Sequence, residues 1–172
     1  NSNDAIIAQN KLIDEEKRRS EALLLNILPE QTATELLREG YAKSHKYEAV
    51  TVMFTDFVNF TTIAAELRAE DLVQHIDEYF RAFDEITLKH GVEKIKTIGD
   101  AYMCAGGLPV ENTTHAYDVL NAAMDIIRFM ETNESRFFTI RIGAHTGPLV
   151  AGVVGKHKFQ YDIWGDAVNI AA

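Results

Sequence analysis

Two short runs rich in β-formers, VEKIKTI and AYMCAGG, flank the dipeptide Gly99-Asp100. A Gly-Asp pair between such runs is a strong local hairpin signal. Val92–Gly107 is therefore predicted to form two antiparallel strands with their turn at Gly99-Asp100. Such a ribbon needs further strands beside it and cover on at least one face, so the rest of the chain must supply both. Lys96 lies in the first of these strands and Asp100 in the turn. A cation and a carboxylate at a hairpin tip can grip a charged ligand. A solvated lysine and a turn-forming aspartate are the plainer reading.

The flanking segments supply what the hairpin needs. From Tyr47 to Thr55, Val50, Val52 and Phe54 alternate with Thr51, Met53 and Thr55, the pattern of a half-buried strand. An aromatic-rich turn, Phe57-Val58-Asn59-Phe60-Thr61, follows Asp56. Leu72, Ile76, Tyr79, Phe80, Phe83 and Ile86 then recur at helical spacing up to Gly91. After Pro109, a second long helix is predicted with Val119, Leu120, Ala123, Ile126, Ile127 and Met130 inward. Phe138, Ile140 and Ile142 begin another strand whose other face carries Arg141. Gly147, Gly152 and Gly155 are expected to punctuate a further strand pair, Lys158–Asp162 to be extended, and a last helix to begin near Ala167. Helices alternating with hairpin strands predict an α+β sandwich with a ferredoxin-like βαββαβ core.

The first forty residues read differently. There is no Gly or Pro before Pro29, and Ile6, Ile13, Ser20 and Ile27 fall seven apart. Pro29 should end one helix, and Gly40 a short second one. A solvated surface helix and one strand of a parallel coiled coil both fit the partial heptad.

A net charge of -9 argues against nucleic-acid binding, which needs clustered Lys and Arg. It leaves room for a nucleotide, which needs only a few cations. No apolar run approaches the roughly 20 residues of a membrane span. One cysteine, Cys104, allows no intrachain disulfide, and a reducing compartment is the default expectation.

Asp56 and Asp100 both fall at strand tips. Two carboxylates brought together there suit hard divalent cations, which prefer oxygen ligands. Unrelated turn aspartates are the alternative. GPLVAGVVGKHK lacks the spacing of a phosphate-binding loop and reads as glycine-punctuated strand.

Four stretches in order, FTDFVNFT, EKIKTIGDAYM, RIGAHTGPLVAGVVG and QYDIWGDAVNIAA, resemble the catalytic domain of class III nucleotidyl cyclases. LLLNILPEQTATELL resembles the transducer segment that precedes such domains. The resemblance implies a signalling helix over residues 1–28, taken as a parallel coiled coil, a transducer over 29–46 and a catalytic domain over 47–172. It implies a homodimer with active sites between protomers and an upstream sensor or membrane domain acting through the N-terminal helix. A place on the cytoplasmic side follows, with the parent protein open to membrane anchoring. By position, Asp56 and Asp100 would hold two Mg²⁺ or Mn²⁺ ions per site, with the Phe57 carbonyl as a further ligand. Amides of Phe57, Val58, Asn59, Phe60 and Thr61 would hold phosphate oxygens, and Arg141 the triphosphate. From the other protomer, Lys96 and Asp162 would read the base and Asn169 would orient the ribose.

Adenine offers an acceptor at N1 and a donor at N6, which a lysine and an aspartate match. Guanine reverses that edge, and guanylate-type members carry Glu and Cys at these positions. The expected activity is therefore adenylate cyclase: ATP to 3′,5′-cyclic AMP and pyrophosphate. Guanylate cyclase and a non-catalytic nucleotide-binding dimerisation module are the alternatives. The general base is open between Asp56, water and substrate phosphate. The family's transition-state arginine and closing strands would fall past Ala172. Loss of one such charge stabiliser typically costs about 10²–10³ in rate, so the 172-residue chain is expected to be a weak catalyst and the natural domain to continue.

Overall fold

The computed structural model describes residues 2–133 and 137–172. Asn1, the first residue of the expected signalling helix, lies outside the described residues. In chain order the elements are α1 (Ser2–Ile27), α2 (Glu30–Glu39), β1 (His45–Phe57), α3 (Phe60–Glu66), α4 (Ala69–Lys89), β2 (Glu93–Ile98), β3 (Ala101–Gly106), α5 (His115–Thr132), β4 (Ile140–Val154), β5 (Gln160–Trp164) and α6 (Asp166–Ala171). Two units can be distinguished: residues up to Ser44 with Gly152–Tyr161, and His45–Ala151 with Asp162–Ala172.

In the first unit, Pro29 stands in extended backbone (φ −57°, ψ 145°) and separates α1 from α2. Its ring and missing N–H prevent one continuous helix. Gly40 closes α2 in the left-handed region (φ 79°), donating its N–H to the Leu36 carbonyl at 2.9 Å. α1 buries no residue, and its seam positions Ile6, Ile13 and Ile27 face solvent. Among the described residues no helix is long and apolar enough to cross a membrane.

The second unit is built on a sheet of order β2-β3-β1-β4-β5. β1 pairs antiparallel with both β3 and β4, and β2 pairs antiparallel with β3. Taken with α4 and α5, the first four strands have the ferredoxin-like βαββαβ connection. β1 sends Met53 and Phe57 into one face, where they meet Tyr79 and Phe83 of α4, Tyr102 and Cys104 of β3, and Val119, Ala122 and Ile126 of α5. Phe57 lies 4.9 Å from Phe138 and 5.4 Å from Tyr79 between ring centroids. Each buried ring contributes about 1.5–3 kcal/mol by transfer, and the offset geometry adds to that. Burial pushes the Cys104 thiol up to about 12, so it packs as a small apolar group.

Three expectations are corrected. β1 is not half-buried, because Val50 and Val52 on its second face are also fully enclosed. α6 packs against β1 on that side and crosses β4 so closely that a Cβ on Gly143 would lie 2.6 Å from the Ala171 carbonyl. Leu120 does not face inward. It is 59 % exposed, and Ala122 takes the buried position on α5. Gly147 and Gly152 do not divide two strands, since β4 runs unbroken through both. Its Pro148 is tolerated because β1 carries a bulge there: Tyr47 faces Leu149, Val50 faces Gly147, and Glu48 and Ala49 oppose the single proline. The ladder is already interrupted, so the missing N–H costs little.

Gly106 ends β3 directly under α5, where a Cβ would stand 2.7 Å from the His115 carbonyl and 2.8 Å from Val119 Cγ2. The backbone carbonyl cannot move aside as a side chain can. Gly106→Ala is expected to destabilise the chain by about 1–3 kcal/mol, seen as a lower urea midpoint at unchanged slope.

Candidate functional site

The Gly99-Asp100 turn forms as the sequence predicts, with Gly99 at the first central position (φ 58°). β2 carries a bulge that the sequence does not announce. Lys94 faces Cys104 and Lys96 faces Met103, leaving Ile95 as the extra residue. Regular alternation would put both lysines on one face. The bulge sends them to opposite faces. Lys94 pairs with Asp84 of α4 at 2.9 Å, on the helix-covered side. Lys96 falls on the other side, in line with Met103 and, through it, Phe54.

There Lys96 Nζ donates to Asp162 Oδ2 at 2.6 Å, and the Ile163 N–H donates to Asp162 Oδ1 at 2.8 Å. β2 and β5 are opposite edges of the sheet. Four flat strand spacings would hold them about 19 Å apart, so the contact requires the sheet to coil and bend. The Lys96 and Asp162 side chains are 27 % and 11 % exposed, and both oxygens of Asp162 are hydrogen-bonded.

Asp56 shares the Phe54 side of β1. Directly opposite on β4 stands Arg141, in register. Its Nε donates to Asp56 Oδ1 at 2.9 Å and its Nη2 to Oδ2 at 2.8 Å, a bidentate pair. The Asp56 carboxylate, by hydrogen bonding first and by charge second, holds the Arg141 guanidinium above its ordinary pKa, and Asp100 adds to this. Asp100 Oδ2 accepts the Phe57 N–H at 3.1 Å, so both aspartates lie at the Asp56–Phe57 peptide. The Asp56–Arg141 pair borders a cleft of about 490 Å³, also lined by Phe54, Ile98, Ala101, Gly143 and Ala171.

The side chains brought together at this place, Asp56 and Asp100, offer only carboxylate oxygens. Among the described residues no group of three His, Cys, Asp or Glu side chains could by itself cage a metal. That combination fits Mg²⁺-like ions, which keep water and substrate oxygens in their shell.

In the Phe57–Thr61 segment two amides are committed elsewhere. The Phe57 N–H goes to Asp100 and the Val58 N–H to the Thr139 carbonyl at 2.8 Å. Asn59 takes a left-handed conformation (φ 55°) and turns the chain into α3. The amides of Phe60 and Thr61 open that helix, where N–H groups lack intrahelical acceptors. Asn169 lies on the exposed side of α6, while Ala167 and Ala171 are buried. Sequence reasoning missed the cleft residues Phe54, Ile98 and Gly143. Only Gly143 carried a signal, because glycine inside a strand marks a close approach.

The family model described as the adenylate and guanylate cyclase catalytic domain matches residues 42–172. An adenylate cyclase of Mycobacterium tuberculosis is 40 % identical over 165 residues, covering 94 % of this chain and 37 % of that protein. Human guanylyl cyclase C is 38 % identical over 170 residues, covering 95 % of this chain and 16 % of that protein. This chain therefore spans well under half the length of these curated relatives. Among solved structures, the catalytic core of a rhodopsin-guanylyl cyclase with converted specificity, in complex with ATPαS, superposes with a TM-score of 0.71 at 38 % identity, covering 75 % of this chain and 72 % of that one.

Removing one member of the Lys96–Asp162 pair leaves a largely buried charge with half its partners. Lys96→Met is expected to cost about 1–3 kcal/mol of stability. Lys96→Met with Asp162→Leu should cost less than the sum of the single changes, by about 1 kcal/mol or more in a urea double-mutant cycle.

Proposed function

This chain belongs to the family of adenylate and guanylate cyclase catalytic domains, and from that premise we propose that it is an adenylate cyclase, converting ATP to 3′,5′-cyclic AMP and pyrophosphate. The observation that carries the choice of nucleotide is the Lys96–Asp162 pair, 2.6 Å apart. Lys96 would donate to adenine N1 and Asp162 accept from the N6 amino group. A guanine edge would set donor against donor and acceptor against acceptor. Each such mismatch costs roughly 1–3 kcal/mol, one to two decades of selectivity.

Asp56, Asp100 and the Phe57 carbonyl would hold two divalent cations. Bound there, Mg²⁺ or Mn²⁺ lowers the pKa of the ribose 3′-hydroxyl and neutralises the polyphosphate. Arg141 would contact the triphosphate, and the amides that open α3 would meet phosphate oxygens. Asn169 would orient the ribose. The 3′-oxygen forms its bond to the α-phosphorus as the bond to the pyrophosphate oxygen breaks. The 3′ proton leaves to Asp56, to water or to a substrate phosphate. The cation-holding and base-reading sets are assigned to different protomers of a homodimer, so each active site is completed by the partner. The open seam of α1 would pair in a parallel coiled coil and pass on the state of an upstream sensor or membrane domain, with catalysis on the cytoplasmic side.

GTP is the second reading, favoured by the 38 % identity to a guanylyl cyclase. A chain carried past Ala172 and incubated with ATP or GTP and Mn²⁺ should yield cyclic AMP, identified by mass. Predominant cyclic GMP would overturn the adenylate assignment. Lys96→Glu with Asp162→Cys is expected to move the ATP:GTP ratio of kcat/KM towards GTP by at least about tenfold, and an unmoved ratio would show that this pair does not read the base. Asp56→Ala or Asp100→Ala should lower kcat by about 10²-fold or more with either nucleotide.

A further inference from the structure

Arg141 lies at the border of the cleft with its side chain largely exposed, yet its guanidinium is not free. It lies flat on the Asp56 carboxylate with a two-bond fork, from the residue directly across the β1–β4 ladder. Both oxygens of Asp56 are engaged. The same two oxygens are those that a divalent cation needs. A guanidinium and a cation cannot both occupy them at van der Waals distance without strong repulsion.

We propose that Arg141 is a removable clamp on the cation site: it competes with divalent cations for Asp56, and a cation enters only as the guanidinium swings away to another anion. The polyphosphate of a nucleotide offers that alternative, since it presents paired oxygens that match the same fork. Cation and nucleotide would then favour one another's binding, because each removes an obstacle to the other. The proposal rests on the reading of Asp56 and Asp100 as cation ligands.

The clamp is soft. The Arg141 and Asp56 side chains are 66 % and 40 % exposed, and ion pairs that exposed are weak even when the fork is well formed. The geometry nevertheless has a cause. Both side chains sit on paired strands at the same rung, so little side-chain freedom is lost in joining them. The effect should be a few-fold handicap on cation binding, enough to suppress loading without nucleotide and small enough for nucleotide to remove.

The test is Mn²⁺ binding to the nucleotide-free chain, read by loss of the free-ion paramagnetic resonance signal. Arg141→Gln is expected to tighten Mn²⁺ by about fivefold, the upper end for a pair of this exposure. Arg141→Lys keeps the charge and loses the fork, so it should fall between wild type and Arg141→Gln. In parallel, the Arg141 Nε–H resonance should be protected from exchange in the ion-free protein and lose that protection as Mg²⁺ is added. Unchanged or weaker Mn²⁺ binding in Arg141→Gln would overturn the clamp. So would an Arg141→Lys affinity equal to wild type beside a tighter Arg141→Gln, because charge alone would then explain the gain. An Nε–H signal indifferent to Mg²⁺ would do the same. Asp56→Asn with wild-type Mn²⁺ affinity would remove the cation-site reading itself, and the clamp with it. The Arg141 outcomes leave that reading standing.

Discussion

The alternation of side chains along β1 is the constraint from which both the core and the site follow. Because successive residues face opposite ways, the strand that drives Met53 and Phe57 into the aromatic core presents Phe54 and Asp56 to the cleft. A slip of one residue would exchange the two sets, burying a carboxylate among rings and exposing a phenylalanine. The energy that forbids the slip comes from the core: Phe57, Tyr79, Phe80, Phe83, Tyr102, Phe129 and Phe138 interlock at centroid distances of 4.9–6.3 Å. The position of Asp56 is thus fixed by packing on the far face of the strand, without any contact of its own being strong.

The hairpin adds a second device. Its turn sets Asp100 against the Phe57 amide, and its bulge at Ile95 turns Lys96 to the same side as Asp56 while Lys94 stays with α4. Acidic side chains engage both of these cations, Asp162 with Lys96 and Asp56 with Arg141. The two pairs differ in exposure, and hence in consequence. The Lys96–Asp162 pair is enclosed, so separating it is costly, whereas the Arg141–Asp56 pair is open to solvent, where ion pairs contribute little.

Much of this was legible in the residues. Gly99-Asp100 marked the turn, Pro29 and Gly40 bounded α2, and the ferredoxin-like order followed from alternating helical and strand periodicity. Local features that depend on a partner strand were not legible. The bulges opposite Pro148 and at Ile95 are properties of a pairing, and periodicity within one strand cannot show them. Leu120 looked inward because it is apolar and well spaced, yet Ala122 takes the buried place under β3. The burial of Val50 and Val52 was missed because the cover on that side of β1, α6, comes from the far end of the sequence. Arg141 was expected on the face away from Ile140 and Ile142, but only the β1–β4 register brings it to Asp56.

On the proposed reading one hairpin would serve two active sites, Asp100 holding cations in its own and Lys96 reading the base in the partner's. The most direct measurement mixes Asp100→Ala and Lys96→Ala chains, each carried past Ala172, under conditions that allow subunit exchange. Each variant alone should lack both complete sites. The mixture should recover roughly a quarter of wild-type activity, since random pairing makes half heterodimers with one intact site each. A mixture as inactive as its components, or full activity in Lys96→Ala alone, would show that the hairpin does not serve two sites.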